Sequence, residues 1–356
     1  MQTFNVRNVN EAYAVGINAL LATGVPGASR VSAVRAFDGP VTTSYRQPCE
    51  RVLFNEQRDA NPFFHFMEGL WMLAGREDVE WISQFNSQIQ NYSDNGKTFH
   101  GAYGYRWRYH FGLDQLQELI AHLHAEPNSR RAVLSMWNPS ADLTVDKLDG
   151  HNGGLDIPCN TTIAFRIRQD GKLHMTVFCR SNDMIWGAYG ANAVHMSMLL
   201  EYMAAFLEVE VGEYHQISND MHAYQDILDK VGKPDPHPIC PYEMGHVRTF
   251  PLVDDPGSWN MDLANFMMDP EQNQMFRNIV FSEVARPMYW AWKEYKNKNY
   301  LRALSAVDHI RAEDWHKACK RWISRRTVKH AEKTAGGKRP ASSHIQADSG
   351  TDGIGP

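Results

Sequence analysis

A mixed α/β fold is what the sequence predicts, and three stretches carry that prediction. Residues 160–179 contain two runs of alternating apolar side chains, Ile163, Phe165, Ile167 and then Leu173, Met175, Val177, Cys179, joined by Asp170-Gly171. Alternation is the period of a half-buried strand, and Asp-Gly is a two-residue hairpin signal. Behind Asn61-Pro62, the side chains Phe63, Phe64, Phe66, Met67, Leu70, Trp71 and Leu73 recur at helical spacing. A second helix carries Met196, Leu199, Leu200, Met203 and Phe206 on one stripe. At 356 residues the chain can bury a sizeable core, in one large domain or two smaller ones.

The remaining elements follow in chain order. Residues 9–22 carry Ala12, Ala14, Val15, Ile17, Leu20 and Leu21, an amphipathic opening helix. Gly24-Val25-Pro26-Gly27-Ala28 ends it, without the Gly-Lys-Ser/Thr of a phosphate loop. Val31 to Tyr45 favours strand, with a turn at Asp38-Gly39-Pro40. Residues 86–112 read as an aromatic loop, Asp114 to His124 as a helix, and Ala132 to Trp137 as an apolar strand entered through Arg130-Arg131. Trp186 to Asn192 reads as a tight glycine loop and 228–260 as a proline-rich one. Residues 281–325 are helical and rich in Trp and Tyr, and 326–356 form a polar, disordered tail.

Composition narrows the function classes. A net charge of -5 offers no overall basic field for nucleic acid. No run of about 18 apolar residues occurs, so no membrane span is expected. Five cysteines, at 49, 159, 179, 240 and 319, form no CxxC pair or disulfide-like spacing, which fits reduced thiols in a cytoplasmic protein. Met1-Gln2-Thr3-Phe4-Asn5 lacks the basic and apolar regions of a signal peptide. His122 and His124 stand two apart and do not share a helix face, and no metal site is expected.

The hairpin locates the chemistry. With Asp170-Gly171 as its turn, Cys159 lies opposite Arg180-Ser181-Asn182-Asp183. Opposed side chains sit about 5 Å apart, so a thiol and a guanidinium meet at one end. A neighbouring cation enlarges the thiolate fraction, the reactive form. Most free cysteines are inert packing; Pro158 before this one and the charged cluster opposite favour a nucleophile. Glu68 lies inside the aromatic helix, where a carboxylate is costly unless hydrogen-bonded or functional. Burial there suits it to proton transfer near neutrality, the plain alternative being a solvated helix edge. Arg130 and Arg131 fit either an ion pair or a bound phosphate.

In this order the motifs resemble the thymidylate synthase family, which includes the pyrimidine-nucleotide hydroxymethylases, over roughly residues 10–226. His65-Phe66-Met67-Glu68-Gly69-Leu70-Trp71 is similar to its glutamate helix, and Tyr103-Gly104-Tyr105-Arg106-Trp107-Arg108 to its Tyr-Gly-x-x-Trp-Arg segment. Pro158-Cys159, Arg180-Ser181-Asn182-Asp183 and His222-Ala223-Tyr224 resemble its nucleophile, its Arg-Ser-x-Asp loop and its sugar-binding triplet. The resemblance implies a curved mixed sheet flanked by helices, one catalytic domain over 1–325 with 281–325 as a helical extension, and a homodimer packed sheet to sheet. It implies that Cys159 attacks C6 of a pyrimidine nucleoside monophosphate, and that C5 accepts a one-carbon unit from 5,10-methylenetetrahydrofolate. Arg180 and Ser181 would hold phosphate, with Asn182 beside them and Arg30 as the flexible phosphate arginine. Arg130 and Arg131 would complete the partner's site. Glu68 would move protons and Tyr103 would sit by C5. Asp183, Tyr92 and Trp107 would face folate, and His222 and Tyr224 the sugar.

Three departures shape the expected product. The family's synthases carry His after the cysteine, and here Asn160 stands there. Asn192 reads the base only if Trp186 to Asn192 holds one extra residue, and it then favours uracil, with cytosine reachable by an amide flip. The polar end Gly353-Ile354-Gly355-Pro356 does not resemble the apolar tail that seals synthases. A less sealed site favours water over hydride at the methylene, hence a 5-hydroxymethyl product. The alternatives are dTMP synthesis and a non-catalytic nucleotide-binding homologue, which would need neither Cys159 nor Glu68.

Overall fold

The computed structural model describes residues 1–29, 32–143, 156–272 and 274–336. Its strands are β1 (Gln2–Val6), β2 (Val25–Ala28), β3 (Ala33–Ala36), β4 (Val41–Tyr45), β5 (Val133–Ser135), β6 (Asn160–Ile167), β7 (Leu173–Cys179), β8 (Asn182–Asp183), β9 (Val211–Ser218) and β10 (Met221–Tyr224). They build a six-stranded sheet, order β1-β4-β9-β7-β6-β5, and a four-stranded one, order β2-β3-β10-β8. The larger sheet is mixed: β1–β4 and β7–β9 run parallel, the other pairs antiparallel. Gly171 adopts φ 75° at the hairpin turn, where glycine is unstrained; the register holds from Ile167↔Leu173 to Thr162↔Phe178 and then shifts by one residue to Asn160↔Cys179. Asp38-Gly39-Pro40 carries the chain from one sheet to the other, since β3 pairs with β2 and β10 while β4 pairs with β1 and β9.

One face of the large sheet packs on the Asn192–Phe206 helix. That helix is buried all round rather than along one stripe, polar Asn192, His195 and Ser197 included: from Asn192 to Ala204 only Glu201 is not buried. Glu201 is held by the buried Arg51 and accepts the Leu252 N–H at 2.8 Å. The glutamate helix, Pro62–Leu73, begins at Asn61, whose side chain accepts from the N–H groups of Phe63 and Phe64. It is buried on all sides except at Phe64. Trp315 and Trp322 of the Glu313–Gly336 helix meet Phe66 and Phe63 edge-on at 5.1 and 5.7 Å, and Trp292 lies 5.5 Å from Phe63. The C-terminal helices therefore back the helix that carries Glu68.

Four local expectations are corrected. Inside the aromatic segment 86–112, Tyr103–Arg108 is a short helix pressed on the glutamate helix. Met184–Ala191 opens as a helical turn where a loop was expected, and only Tyr189 and Gly190 leave the helical backbone, at a kink. Within 228–260, Asp255 caps a Pro256–Met268 helix, its side chain accepting from Gly257 N–H with proline at the first turn. The last helix runs past residue 325 to Gly336, because Arg325 and Arg326 both bind Asp59 and Arg326 stacks on Trp322. Residues 337–356 lie outside the described residues.

Candidate active site

The mouth of the β6–β7 hairpin brings Cys159 and Arg180 together. The Arg180 N–H donates to the Cys159 carbonyl at 2.9 Å. The guanidinium turns back to donate from Nε to Pro158 O at 3.0 Å and from Nη2 to Ile157 O at 2.8 Å, lying 5.9 Å from the Trp137 ring. One cation thus clasps the two residues before the half-buried thiol. Asn160 turns the other way into the core, its Oδ1 accepting from Cys179 Sγ at 2.8 Å. Burial, with Cys159 adding, pushes the Cys179 thiol well up, so Cys159 is the accessible sulfur of the pair.

Two helices complete this end. Tyr103, at the start of its short helix, is pushed well above the usual phenol range by burial and then by Cys159, Cys179 and Asp156, and the Asn160 backbone bonds its hydroxyl. The approach is held by Gly101, whose N–H donates to Asp156 Oδ2 at 2.8 Å. Gly104 allows the next contact, since a Cβ there would fall 2.0 Å from Met72 O on the glutamate helix. Arg108 caps that helix, Nε donating to Leu73 O at 2.7 Å. Glu68 is 8% exposed, on the buried rather than the solvated side. Its Oε2 lies 3.0 Å from His195 Nε2, off the hydrogen-bond line, and has no hydrogen-bond partner among the described residues.

β8, the end of Arg180-Ser181-Asn182-Asp183, pairs with β10, which carries His222-Ala223-Tyr224: His222 faces Asp183 and Met221 faces Asn182. Asn182 Nδ2 donates to Ser218 Oγ at 3.1 Å, and its Oδ1 accepts from Asn192 Nδ2 at 3.2 Å. The chain is kinked at Tyr189 and Gly190 just before Asn192, whose amide lies within hydrogen-bond reach of the loop. Half-buried Ser181 sits between Arg180 and this pair. Burial raises the Asp183 carboxyl, against the opposing pull of the Trp186 N–H, His222 and Arg58. His222 Nδ1 lies 3.2 Å from Asp220 Oδ1, and its ring meets Tyr224 edge-on at 5.7 Å. Tyr92, 40% exposed, borders Tyr224 and Asp183.

Other expectations fare differently. Trp107 is fully buried and donates to Met136 Sδ at 3.0 Å, so it is core and does not face a folate. Arg130 and Arg131 are exposed, and Arg131 pairs with Glu126 at 3.2 Å. Arg30 lies outside the described residues. Sequence reasoning missed Arg58, a buried cation that donates to Ile185 O at 2.7 Å beneath the Trp186 ring at 4.1 Å; burial pushes it down to about 10. It also passed over His195, which stands on the same helix as the apolar stripe but was not singled out. His174, Glu213 and His215 bring potential ligand atoms within 4.8 Å of one another. However, His174 Nδ1 accepts the Glu213 N–H at 3.2 Å while Nε2 faces Asp170 at 3.0 Å, so both nitrogens are engaged. Among the described residues no helix is long and apolar enough to cross a membrane.

Comparison with known proteins agrees with this geometry. The thymidylate synthase family model matches residues 58–235. The deoxyuridylate hydroxymethyltransferase of Pseudomonas phage M6 is 45% identical over 343 residues, covering 92% of this chain and 95% of that protein. The enzyme of the same name from Bacillus phage SP01 is 35% identical over 239 residues, 64% of this chain and 60% of that one. A thymidylate synthase of Symbiobacterium thermophilum is 34% identical over 179 residues, 46% of this chain and 59% of the relative. An arginine that clasps the backbone before Cys159, a buried glutamate and an asparagine bonded to Asn182 are thus features of a chain that belongs to the thymidylate synthase family.

Proposed function

We propose that the protein transfers a one-carbon unit from 5,10-methylenetetrahydrofolate to C5 of dUMP and releases the 5-hydroxymethyl nucleotide. Similarity to a deoxyuridylate hydroxymethyltransferase along 92% of the chain carries this reading. The Cys159 thiolate adds to C6 and leaves C5 an enolate-like nucleophile, which the inert ring otherwise lacks. Arg180 holds the thiol segment and, with Ser181, the phosphate; exposed Arg130 and Arg131 reach a second subunit's phosphate. Tyr103 stands by the C5 proton, and Glu68, buried with an unpartnered oxygen, moves protons. His222 and Tyr224 receive the sugar.

Asn192 favours uracil. One of its Nδ2 hydrogens is spent on Asn182, which leaves Oδ1 for the uracil N3–H and the second hydrogen for O4. Cytosine reverses both needs, and flipping the amide breaks the Asn182 bond. The folate supplies the methylene carbon when bound. Asp183, whose Oδ2 is buried without a hydrogen-bond partner among the described residues, and half-exposed Tyr92 offer it a polar and a stacking contact. A homodimer forms through the far face of the large sheet, where Phe178 and Val133 are 39% and 45% exposed.

The test is incubation with methylenetetrahydrofolate and dUMP or dCMP in turn. Mass spectrometry should find 5-hydroxymethyl-dUMP, with no rise in dihydrofolate absorbance. A 5-methyl product with dihydrofolate would establish the synthase reaction instead.

A further inference from the structure

His195 is a buried histidine that the chemistry above leaves unused. It stands three residues past Asn192 on the central helix, so the two side chains leave the same helix face. Its ring is 2% exposed, and neither nitrogen has a hydrogen-bond partner among the described residues. Nε2 lies 3.0 Å from the Glu68 carboxylate. Gly69 brings the two helices this close: a Cβ there would fall 2.4 Å from Met198 Sδ and 3.8 Å from His195 Cδ2. His65 is the histidine of the glutamate helix itself. Burial, then Arg58 and His195, hold its imidazole well below the usual range, which leaves His195 as the ring placed to share a proton with Glu68.

We propose that His195 is the proton-relay partner of Glu68 when water adds to the methylene carbon, and that it thereby specifies the hydroxymethyl product; this rests on the hydroxymethyl reading above. In that step the water oxygen bonds to the exocyclic methylene carbon, and the π pair of that bond moves into the ring as an enolate. The water proton passes to the Glu68 carboxylate and on to His195, and Glu68 is a base again. The enolate re-forms C5=C6 as the C6–S bond breaks and its electron pair returns to Cys159. No electrons are gained or lost overall, whereas a methyl product needs a hydride.

Water needs a base to add, but a thiolate does not. The test therefore compares wild type with His195→Gln, which can donate to Glu68 but cannot take its proton. Both are given dUMP, methylenetetrahydrofolate and 2-mercaptoethanol, and mass spectrometry reads the ratio of 5-hydroxymethyl to 5-thioether nucleotide. Calorimetry measures dUMP binding without folate. The variant should bind dUMP within about threefold of wild type and keep its dUMP KM. Its kcat for hydroxymethylation should fall roughly a hundredfold, the scale of one lost acid–base partner, and thioether should become its main product. His195→Asn carries the same expectations should the glutamine variant not fold. An unchanged product ratio overturns the relay, whether kcat stays (packing alone) or dUMP affinity falls with it (a structural role). A wild type that makes 5-methyl nucleotide and dihydrofolate overturns the underlying reading in its own arm, whatever the variant does.

Discussion

Gly104→Ala is expected to open the joint between the helix of Tyr103 and the helix of Glu68. A Cβ at position 104 would stand 2.0 Å from Met72 O and 2.6 Å from both Met72 C and Cα. These are backbone atoms, so no rotamer change relieves them and the two helices must part by about 1 Å. Overpacking of this kind costs about 1–3 kcal/mol, and a backbone obstacle puts it at the upper end. Alanine recovers about 0.5–1 kcal/mol of helix preference. The net is a loss of about 2 kcal/mol. Displacement of Tyr103 from the thiol by that distance should also lower kcat about a hundredfold. Urea denaturation with steady-state kinetics measures both. Gly257→Ala is the control, since its Cβ meets only the Asp255 carboxylate, at 3.3 Å, and it should stay within about 0.5 kcal/mol of wild type. A Gly104→Ala protein as stable and as active as wild type would refute the tight joint.

Cys159→Ser should retain dUMP binding and lose dUMP C5 hydrogen exchange with solvent, read by NMR in deuterated buffer. Arg180→Lys removes the forked contact with the Ile157 and Pro158 carbonyls; kcat should fall by about tenfold or more, seen in the same assay as product formation. Asp314 is buried against Tyr242, and burial raises its carboxyl to about 6. The folded protein thus holds this proton more tightly than the unfolded chain. The resulting stability is complete below the unfolded value near 4 and is lost as pH rises through about 6. The whole effect is about 3 kcal/mol, roughly half of it between pH 5 and 8. Asp314→Asn should lack that slope in urea denaturation across the two pH values.

Much of the frame was legible because it depends on short-range pattern. Alternation plus Asp-Gly placed the hairpin and set Cys159 against the cluster at 180–183; the irregularity between Asn160 and Thr162, which brings Arg180 itself opposite the cysteine, left no signal. Asn61-Pro62 before a helical run of aromatics likewise marked the glutamate helix. What stayed hidden depends on contacts distant in sequence. Trp107 and Tyr92 are both aromatic residues in one segment, yet a methionine 29 residues away makes the first core. His195 looks like one more position on a buried helix until the partner helix places Glu68 beside it. Arg58 has no local signal at all; its role follows from Ile185 and Trp186, across the fold. The glycines between Trp186 and Asn192 were readable as a break, but the helical turn that leads into the kink at Tyr189 and Gly190 was not.

The bond between Cys159 sulfur and pyrimidine C6 is open to direct observation. With 5-fluoro-dUMP and methylenetetrahydrofolate, fluorine at C5 blocks the proton loss that must precede release, so the adduct should persist. Intact mass should rise by nucleotide plus folate, and peptide mapping should place the whole increment on Cys159. An increment on another residue, or none from a protein that still makes product from dUMP, would contradict the nucleophile assigned here.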